Sequence, residues 1–288
     1  MTAFTSGIEY RPATENDLEI GSRVFNRALS ELHRRSGLAW ADAPAEAFTR
    51  PQRHVLAHDP DRCFVAEAEG QVVAYSSAIQ RAAAWHYSAL FVDPGFQGRG
   101  IGRHLFELSA VDWPARRMTV AEAIQPVSTA LYADNGLIPS TPILILGGKP
   151  SAVAPDGIEP AVPTAADLAT LDLAAYGFDR AIDHAYWRTQ AEVTLWRRDQ
   201  RPIAYAYVSP AGSIGPLAGQ DEASAAQALR AELARRTNVT LRIPGSAASL
   251  VEVAFAANLR LVDTPGLLLH SRPVAVPRAL VISGFFLL

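Results

Sequence analysis

The sequence is poor in residues that mark several common classes of protein. Its 288 residues include one cysteine, Cys63, so no disulfide can form within the chain and a reducing compartment is expected. Lysine is almost absent, since Lys149 is the only one. No basic block indicates binding to DNA or RNA, and the net charge of -3 is typical of an ordinary soluble globular protein.

Long apolar runs are also lacking. The first residues, MTAFTSGIEYRPATEND, have neither the charged start nor the apolar stretch of a secretory signal, which predicts a cytoplasmic protein. The apolar segment ALVISGFFLL near the C-terminus is only half of the roughly 20 residues that a membrane-spanning helix needs. We therefore expect a last strand or a packed tail there, and no membrane partner.

Three short segments recur in the same order, which indicates an internal duplication. TENDL (residues 14–18) matches TAADL (164–168), and each places a threonine three residues before an acid, as in a helix capping box. GQVVAYSSA, from residue 70, matches QRPIAYAYV, from residue 200, and both resemble the return strand of a hairpin. TPILIL (141–146) is repeated as TPGLLL (264–269).

Hydrophobic periodicity predicts a mixed α/β fold of two similar domains, each a mostly antiparallel sheet flanked by helices. In the first half we predict strands at 8–11, 63–68, 72–80, 84–92, 118–123 and 143–146, and helices at 17–35, 45–57, 100–112 and 127–134. In the second half we predict strands at 193–197, 203–208, 239–243 and 267–270, and helices at 167–176, 181–190, 222–236 and 246–257. Residues 146–157 have the composition of a linker, so we divide the chain into domains 1–148 and 149–288.

The segment VDPGFQGRGIGRHLFE (residues 92–107) places a glycine-rich turn between the fourth strand and a helix. Free backbone N–H groups at the positive end of a helix dipole form a seat for an anion. Gly98, Gly100 and Gly102 allow a phosphate to approach the backbone, and Arg99 and Arg103 add positive charge.

The spacing argues against two common phosphate-binding loops. A Walker loop has lysine and then serine or threonine after its last glycine, where this chain has Arg103 and His104. A dinucleotide-binding loop has glycines at positions one, three and six and follows the first strand, whereas these glycines are two residues apart and follow the fourth strand.

The residues Gln97, Gly100 and Gly102, with LFVDP before them and ALYADNGL about thirty residues later, resemble motif A and the tyrosine-bearing helix of the GNAT N-acetyltransferase superfamily. The resemblance covers roughly residues 8–147. It implies that acetyl-CoA is the co-substrate, with its diphosphate on the loop and its pantetheine arm along the end of the fourth strand. The implied binding residues are Leu90, Phe91, Val92, Gln97, Gly98, Arg99, Gly100, Ile101, Gly102 and Arg103, with Ser128 or Gln125 where many members have asparagine.

The resemblance also suggests catalytic residues. Tyr132 matches the tyrosine that protonates the departing thiolate, and the N–H of Phe91 or Val92 is the candidate donor to the thioester carbonyl. Alternation predicts that His86 shares a strand face with Ser88, Leu90 and Val92. His86 stands where one group of GNAT histone acetyltransferases carries its base glutamate, Glu122 is the competing base, and a water chain is the third possibility.

The second half lacks the loop. Its SIGPLAGQDEASAAQALRAEL (residues 213–233) contains Pro216, which removes a donor, and Asp221 and Glu222, which would repel a diphosphate. We expect a degenerate GNAT-like domain that walls the acceptor cleft, with Arg180, Trp187 and Tyr205 as candidates for that wall. Residues 32–48 supply further candidates, namely Arg34, Arg35, Trp40, Asp42 and Glu46.

The sequence therefore predicts an enzyme that transfers acetyl from acetyl-CoA to a primary amine, expected to be that of a small molecule, with no metal and as a monomer or homodimer. A non-catalytic acyl-CoA sensor or scaffold remains an alternative. So do transfer to a protein amine, a thiol or a hydroxyl, and transfer of a longer acyl group.

Overall fold

The computed structural model describes residues 7–272 and 277–287. The N-terminal half has six strands: β1 (Ile8–Pro12), β2 (Cys63–Ala68), β3 (Gln71–Arg81), β4 (Ala84–Val92), β5 (Arg116–Glu122) and β6 (Ile138–Gly148). Its helices are α1 (Leu18–Arg35), α2 (Ala45–His58), α3 (Ile101–Ser109) and α4 (Pro126–Asp134).

The C-terminal half repeats this order in outline. Its strands are β7 (Glu159–Ala161), β8 (Glu192–Arg198), β9 (Arg201–Val208), β10 (Ser213–Gly219), β11 (Val239–Pro244), β12 (Arg260–Leu261), β13 (Gly266–His270) and β14 (Leu280–Val281). Its helices are α5 (Ala165–Ala175), α6 (Ala181–Arg188), α7 (Glu222–Ala234) and α8 (Ala248–Ala256).

Within the described residues the strands form one 14-stranded sheet, ordered β1-β2-β3-β4-β5-β13-β6-β11-β10-β9-β8-β7. Strand β12 also pairs with β6, and β14 pairs with β10. All of the pairs are antiparallel except β4 with β5 and β10 with β11. The predicted fold class, a mixed and mostly antiparallel sheet flanked by helices, is confirmed.

The two halves exchange strands at the middle of this sheet. Strand β13 of the C-terminal half lies between β5 and β6, and β6 of the N-terminal half lies between β13 and β11. The repeated segments TPILIL and TPGLLL pair with each other here, with Gly266 opposite Ile143 and Leu268 opposite Thr141. Each half therefore completes the sheet of the other.

The helices cover both faces of the sheet. One core contains α1 and α2 residues such as Phe25 and Phe48 and extends into the C-terminal half through Leu168 and Tyr205. On the opposite face, Ile101 and Leu105 of α3 pack against the first strands, while α7 and α8 cover the C-terminal strands. Both faces of the central strands are buried, which explains their continuous apolar sequences.

Most predicted elements are confirmed within a few residues, including both capping boxes. Asp167 Oδ2 accepts from Thr164 N at 2.9 Å, and Asp17 Oδ2 accepts from Thr14 N at 2.7 Å. The interpretation of residues 213–219 as the counterpart of the glycine loop was wrong, because they form β10, which is the counterpart of β4. The sequence did not predict this strand because it contains Pro216, and proline is rare in central strands.

Candidate active site

The glycine loop presents an unusual number of free backbone donors. Gly98 and Gly100 have φ of +77° and +81°, and a Cβ on either would meet nothing within 4 Å, so the loop backbone faces open space. Gly100 precedes α3 and offers no side-chain cap. Among the described residues, no acceptor binds the backbone N–H groups of residues 97–103. Free donors at the start of a helix are the arrangement on which the predicted anion seat depends.

Side chains hold this loop in place. Gln97 donates from Nε2 to the Val92 carbonyl at 2.9 Å, which ties the loop to the end of β4. Arg99 donates to the Gly95 carbonyl at 3.0 Å and stacks on Phe96, so it supports the turn and does not line the cleft. Arg103 lines the cleft and reaches Asp134 at 3.3 Å.

Beside the loop, β4 and β5 part. Their parallel pairing ends at Tyr87 opposite Thr119, where Thr119 Oγ1 donates to the Tyr87 carbonyl at 2.9 Å. From Ser88 onward β4 pairs only with β3 on its other side. The open edge of β4 faces a cleft of about 1710 Å³ that residues of both halves line.

A β-bulge at Ser88 reverses the alternation of side chains along β4. On β3, Ala78 pairs with Tyr87 and Ser77 pairs with Ala89, which leaves Ser88 as the extra residue. Leu90 consequently packs with α3 on the same face as Tyr87, while Phe91 packs with Phe25 on the other face. The prediction that His86 shares a face with Leu90 and Val92 was therefore wrong, because it assumed an unbroken pleat.

Backbone alternation identifies the donors on the open edge. Asp93 N donates to the Val73 carbonyl at 2.8 Å, so the N–H groups of Asp93 and, two residues earlier, Phe91 point toward β3. Those of Leu90 and Val92 point to the open edge. Of the two predicted donors to a thioester carbonyl, Val92 faces the opening and Phe91 does not.

Tyr132 lies on α4 beside this opening. Its ring packs against Tyr87 and Phe106, with centroids 5.8 Å away in each case. Its hydroxyl makes no hydrogen bond to any described residue, yet the side chain lines the cleft. Burial raises the pKa of Tyr132 well above its usual value, so the phenol stays protonated.

The start of α4 differs from the asparagine of the family pattern. Gln125 caps the helix with its own side chain, since Oε1 accepts from Val127 N at 3.2 Å. Ser128 and Gln125 both line the cleft, and the Ser128 hydroxyl reaches the Gln125 carbonyl at 3.5 Å. Ser128 therefore has the freer polar group of the two.

Glu122, at the end of β5, is the candidate base that lines the cleft. Its carboxylate accepts no hydrogen bond from the described residues. Burial, and secondly the negative charge of Asp263, raise the pKa of Glu122 to about 7, while Arg242 opposes the shift. A carboxylate of this kind exchanges protons near neutral pH.

His86 lies outside the cleft. Its Nε2 is 3.0 Å from the Phe285 carbonyl, and it lines a small separate cavity with Arg180 and Asp183. Burial lowers the pKa of His86 to about 4, so it stays neutral and packed. The structure brings Tyr132, Glu122, Val92 and the glycine loop together and leaves His86 and Arg99 aside.

The equivalent opening in the C-terminal half is filled by the chain itself. Strands β10 and β11 pair only at residues 213–214, and β14 then takes the vacated edge, with Val281 opposite Leu217 and Leu280 opposite Ala218. At the start of α7, Asp221 Oδ1 accepts from Ser224 N at 2.7 Å, so a carboxylate already stands at that helix N-terminus.

The chain continues from β14 into the N-terminal cleft. The Ser88 hydroxyl donates to the Phe286 carbonyl at 2.9 Å, and the Phe286 ring packs against Phe25, Phe48 and Phe91. The C-terminal tail (residues 283–287) therefore forms one wall of the cleft. The sequence predicted a packed tail but not its place beside β4.

The predicted acceptor-side residues divide between the cleft, the exposed surface and the interior. Trp187, Arg35, Trp40 and Glu46 line the cleft, whereas Arg34 and Asp42 do not. Arg180 is buried beside Asp183, and the Tyr205 hydroxyl donates to Asp172 at 2.7 Å. Sequence reasoning missed Arg242 and Asp263, which line the cleft from the C-terminal half. The signal for Arg242 was one charge within the apolar strand sequence VTLRIP.

Two structural absences concern the described residues alone. In residues 7–272 and 277–287, no three His, Cys, Asp or Glu side chains are grouped so as to hold a metal ion. None of the helices in those ranges combines the length and apolar character that crossing a membrane requires.

Comparison with known proteins agrees with this geometry. Residues 59–136, which include the glycine loop and Tyr132, match a family model described as an acetyltransferase (GNAT) domain. A search of curated proteins gave no match.

Three solved structures share the fold over nearly the whole chain. The first, from Pyrococcus horikoshii and provisionally described as an acetyltransferase, is 18% identical with a TM-score of 0.74, and the match covers 99% of this chain and 94% of that one. A GCN5-related N-acetyltransferase from Sphaerobacter thermophilus is 17% identical with a TM-score of 0.64, covering 93% and 96%. A tandem GNAT protein from the clavulanic acid biosynthesis pathway is 18% identical with a TM-score of 0.55, covering 92% and 98%. Residues 59–136 in the N-terminal half are thus similar to GNAT acetyltransferase domains, and the chain shares its fold with these three structures.

Proposed function

We propose that the protein transfers the acetyl group of acetyl-CoA to the primary amine of a small molecule, in a ternary complex. The observation that carries this proposal is the run of unbonded N–H groups at residues 97–103 beside the open edge of β4. The loop would hold the diphosphate, and the Leu90 and Val92 backbone would pair with the pantetheine arm as an added strand does.

The cleft residues have the protonation states that this reaction needs. Glu122 would take a proton from the attacking ammonium, directly or through water, so that the nitrogen lone pair can form the new C–N bond. The N–H of Val92 would stabilise the negative charge on the carbonyl oxygen. As the C–S bond breaks, the Tyr132 hydroxyl would donate its proton to the thiolate. The nitrogen would lose its second proton, which would restore the Tyr132 hydroxyl through water, giving an acetamide and CoA.

The shape of the cleft favours a small acceptor over a protein tail. Trp187, the C-terminal tail and the aromatic rings of Phe25 and Phe91 all line it, so both halves of the chain surround the acceptor. We place the activity in the cytoplasm, because the single cysteine is buried and reduced. A monomer or homodimer suits this arrangement.

Thiol release from acetyl-CoA, measured against a panel of primary amines, tests the proposal. We expect acceptor-dependent release together with formation of the N-acetyl product. Tight acetyl-CoA binding without transfer to any amine would instead favour a sensor. Release supported only by thiols or alcohols would overturn the choice of amine.

A further inference from the structure

Arg242 differs from the other arginines that line the cleft. Arg35 is paired with Glu31 at 2.6 Å, Arg50 donates to Gln190 at 3.2 Å, and Arg103 reaches Asp134 at 3.3 Å. Arg242 forms no hydrogen bond or ion pair with any side chain that the structure describes. A partly buried guanidinium without an anion has given up hydration and lacks compensation, which an anionic ligand would supply.

The surroundings of Arg242 hold it at the cleft wall. Arg242 extends from β11, and its guanidinium lies over the Phe285 ring, 6.0 Å from the ring centroid. The Ile282 N–H donates to the Arg242 carbonyl at 3.0 Å, which holds this part of the strand in place. Burial lowers the pKa of Arg242, and the charges of Asp263 and Glu122 oppose this, so it remains a cation. Its side chain is therefore a charged group in a fixed place, not a solvated surface arginine.

The candidate base faces Arg242 across the cleft. Two strands, β13 and β6, lie between the strands of Glu122 and Arg242. Glu122 pairs with Gly266 of β13, and Gly266 pairs with Ile143 of β6. Ile143 in turn pairs with Pro244, on the strand of Arg242. Three interstrand steps separate these backbones by about 14 Å. Gly266 adds no side chain between them, and the Phe285 ring packs there instead, 2.7 Å from where a Cβ would lie.

Opposite charges thus line one cleft from two strands whose backbones lie about 14 Å apart. Glu122 and Arg242 influence each other electrostatically, and both line the cleft, yet they make no ion pair. Asp263, which is exposed, adds negative charge near both Glu122 and Arg242 without pairing with either. This arrangement complements a molecule whose amine and anion are separated by a few bonds.

We infer that the acceptor is a zwitterion whose carboxylate binds Arg242 while its amine faces Glu122. The inference rests on the proposed function and narrows its acceptor to amino-acid-like amines. A guanidinium recognises a carboxylate by two parallel hydrogen bonds, so the group would fix both the orientation and the distance of the amine. Arg242 is then a specificity-determining residue that the C-terminal half contributes.

The test compares amines matched in everything but the carboxylate. Suitable pairs are leucine with 3-methylbutylamine, phenylalanine with phenethylamine, and 4-aminobutyrate with propylamine, assayed by N-acetyl product with the complete chain. In the most productive pair we expect kcat/KM to be at least about tenfold higher for the acid, mainly through KM, which corresponds to about 1.4 kcal/mol.

Arg242→Gln should bring the ratio of kcat/KM between the acid and its matched amine close to one, by raising KM for the acid. Arg242→Lys should retain part of the preference for the acid. Arg230→Gln, an exposed arginine of α7, is the matched control and should keep the wild-type ratio. Acetyl-CoA affinity reports whether each variant is folded. If Arg242→Gln does not fold, the wild-type ratios alone decide.

Equal use of both members of every pair, or a ratio that Arg242→Gln leaves intact, overturns the inference alone. Failure of both classes as acceptors, with acetyl-CoA bound, overturns the proposed function and this inference with it.

Discussion

At the residue scale, two groups with shifted pKa values lie in one cleft. Tyr132 is held protonated by burial, and Glu122 titrates near neutral pH. Both line the cleft beside the opening between β4 and β5, and we propose them as the proton donor and the proton acceptor of one transfer.

Tyr132→Phe removes only a hydroxyl that has no partner among the described residues, so the fold should persist. Because the leaving thiolate loses its acid, we expect kcat to fall about 100-fold while the Kd of acetyl-CoA changes little. Steady-state kinetics and calorimetry measure the two quantities. Tyr207→Phe, a buried tyrosine of the C-terminal half whose hydroxyl binds His184, should leave kcat unaltered. An undiminished kcat in Tyr132→Phe would remove the acid assignment.

The raised pKa of Glu122 predicts how kcat/KM should depend on pH. The base works when deprotonated, so kcat/KM should rise as the pH passes upward through about 7, where Glu122 loses its proton. Glu122→Gln should lower kcat/KM and abolish this limb, leaving only the ionisation of the amine itself. Glu252→Gln, on the exposed side of α8, is the control. A profile shared by wild type and Glu122→Gln would point to a water chain as the base.

Site residues that lie close together in the sequence could be predicted from it, and those that lie far apart could not. The loop and Tyr132 were recognisable because their motif residues lie within one continuous stretch. Arg242 and Asp263 were not, since the exchange of β6 and β13 brings them into the same cleft as Glu122 from more than a hundred residues away. His86 was misplaced by a single bulge residue, Ser88, which no propensity identifies.

At the scale of elements, we expect the glycine loop to bind acetyl-CoA through its backbone N–H groups. A Cβ at Gly100 would have space around it but would be strained at φ +81°, and it would project toward a bound diphosphate. Gly100→Ala should therefore weaken acetyl-CoA binding at least about tenfold and cost about 1 kcal/mol of stability.

Gly70, in the β2–β3 turn, provides a matched control because its φ is +75° and a Cβ there would also meet nothing within 4 Å. Gly70→Ala should lose comparable stability and retain the wild-type Kd, as measured by calorimetry and thermal unfolding. Equal Kd values in the two variants would show that the loop backbone does not hold the ligand.

The elements also explain why we expect a site in the N-terminal half alone. Both halves build a strand, an opening and a helix N-terminus, but β14 fills one opening and Asp221 caps the corresponding helix. The sequence revealed the missing loop through the acids Asp221 and Glu222 at the start of α7, and not through Pro216, which lies in β10. The sequence did not predict that β14 fills the opening beside β10, because a strand of two residues is too short to show an alternating hydrophobic pattern.

At the scale of the whole molecule, the exchanged strands join the halves into one folding unit. The division at residues 148 and 149 remains a prediction about the chain, but β5 and β6 pair with β13 from beyond it. A fragment of residues 1–156 would leave those strand edges unpaired.

We expect that fragment to aggregate when expressed alone and to be recovered with acetyl-CoA binding when co-expressed with residues 157–288. The complete chain should unfold in a single calorimetric transition. A soluble N-terminal fragment that binds acetyl-CoA by itself would show that the exchange is dispensable.

The most direct test of the central claim is a crystal structure of the complete chain with acetyl-CoA. The account predicts one ligand per chain, its diphosphate on the N–H groups of residues 97–103, its pantetheine beside Leu90 and Val92, and its sulfur near Tyr132. A ligand between β10 and β11, or one bound away from the glycine loop, would contradict it.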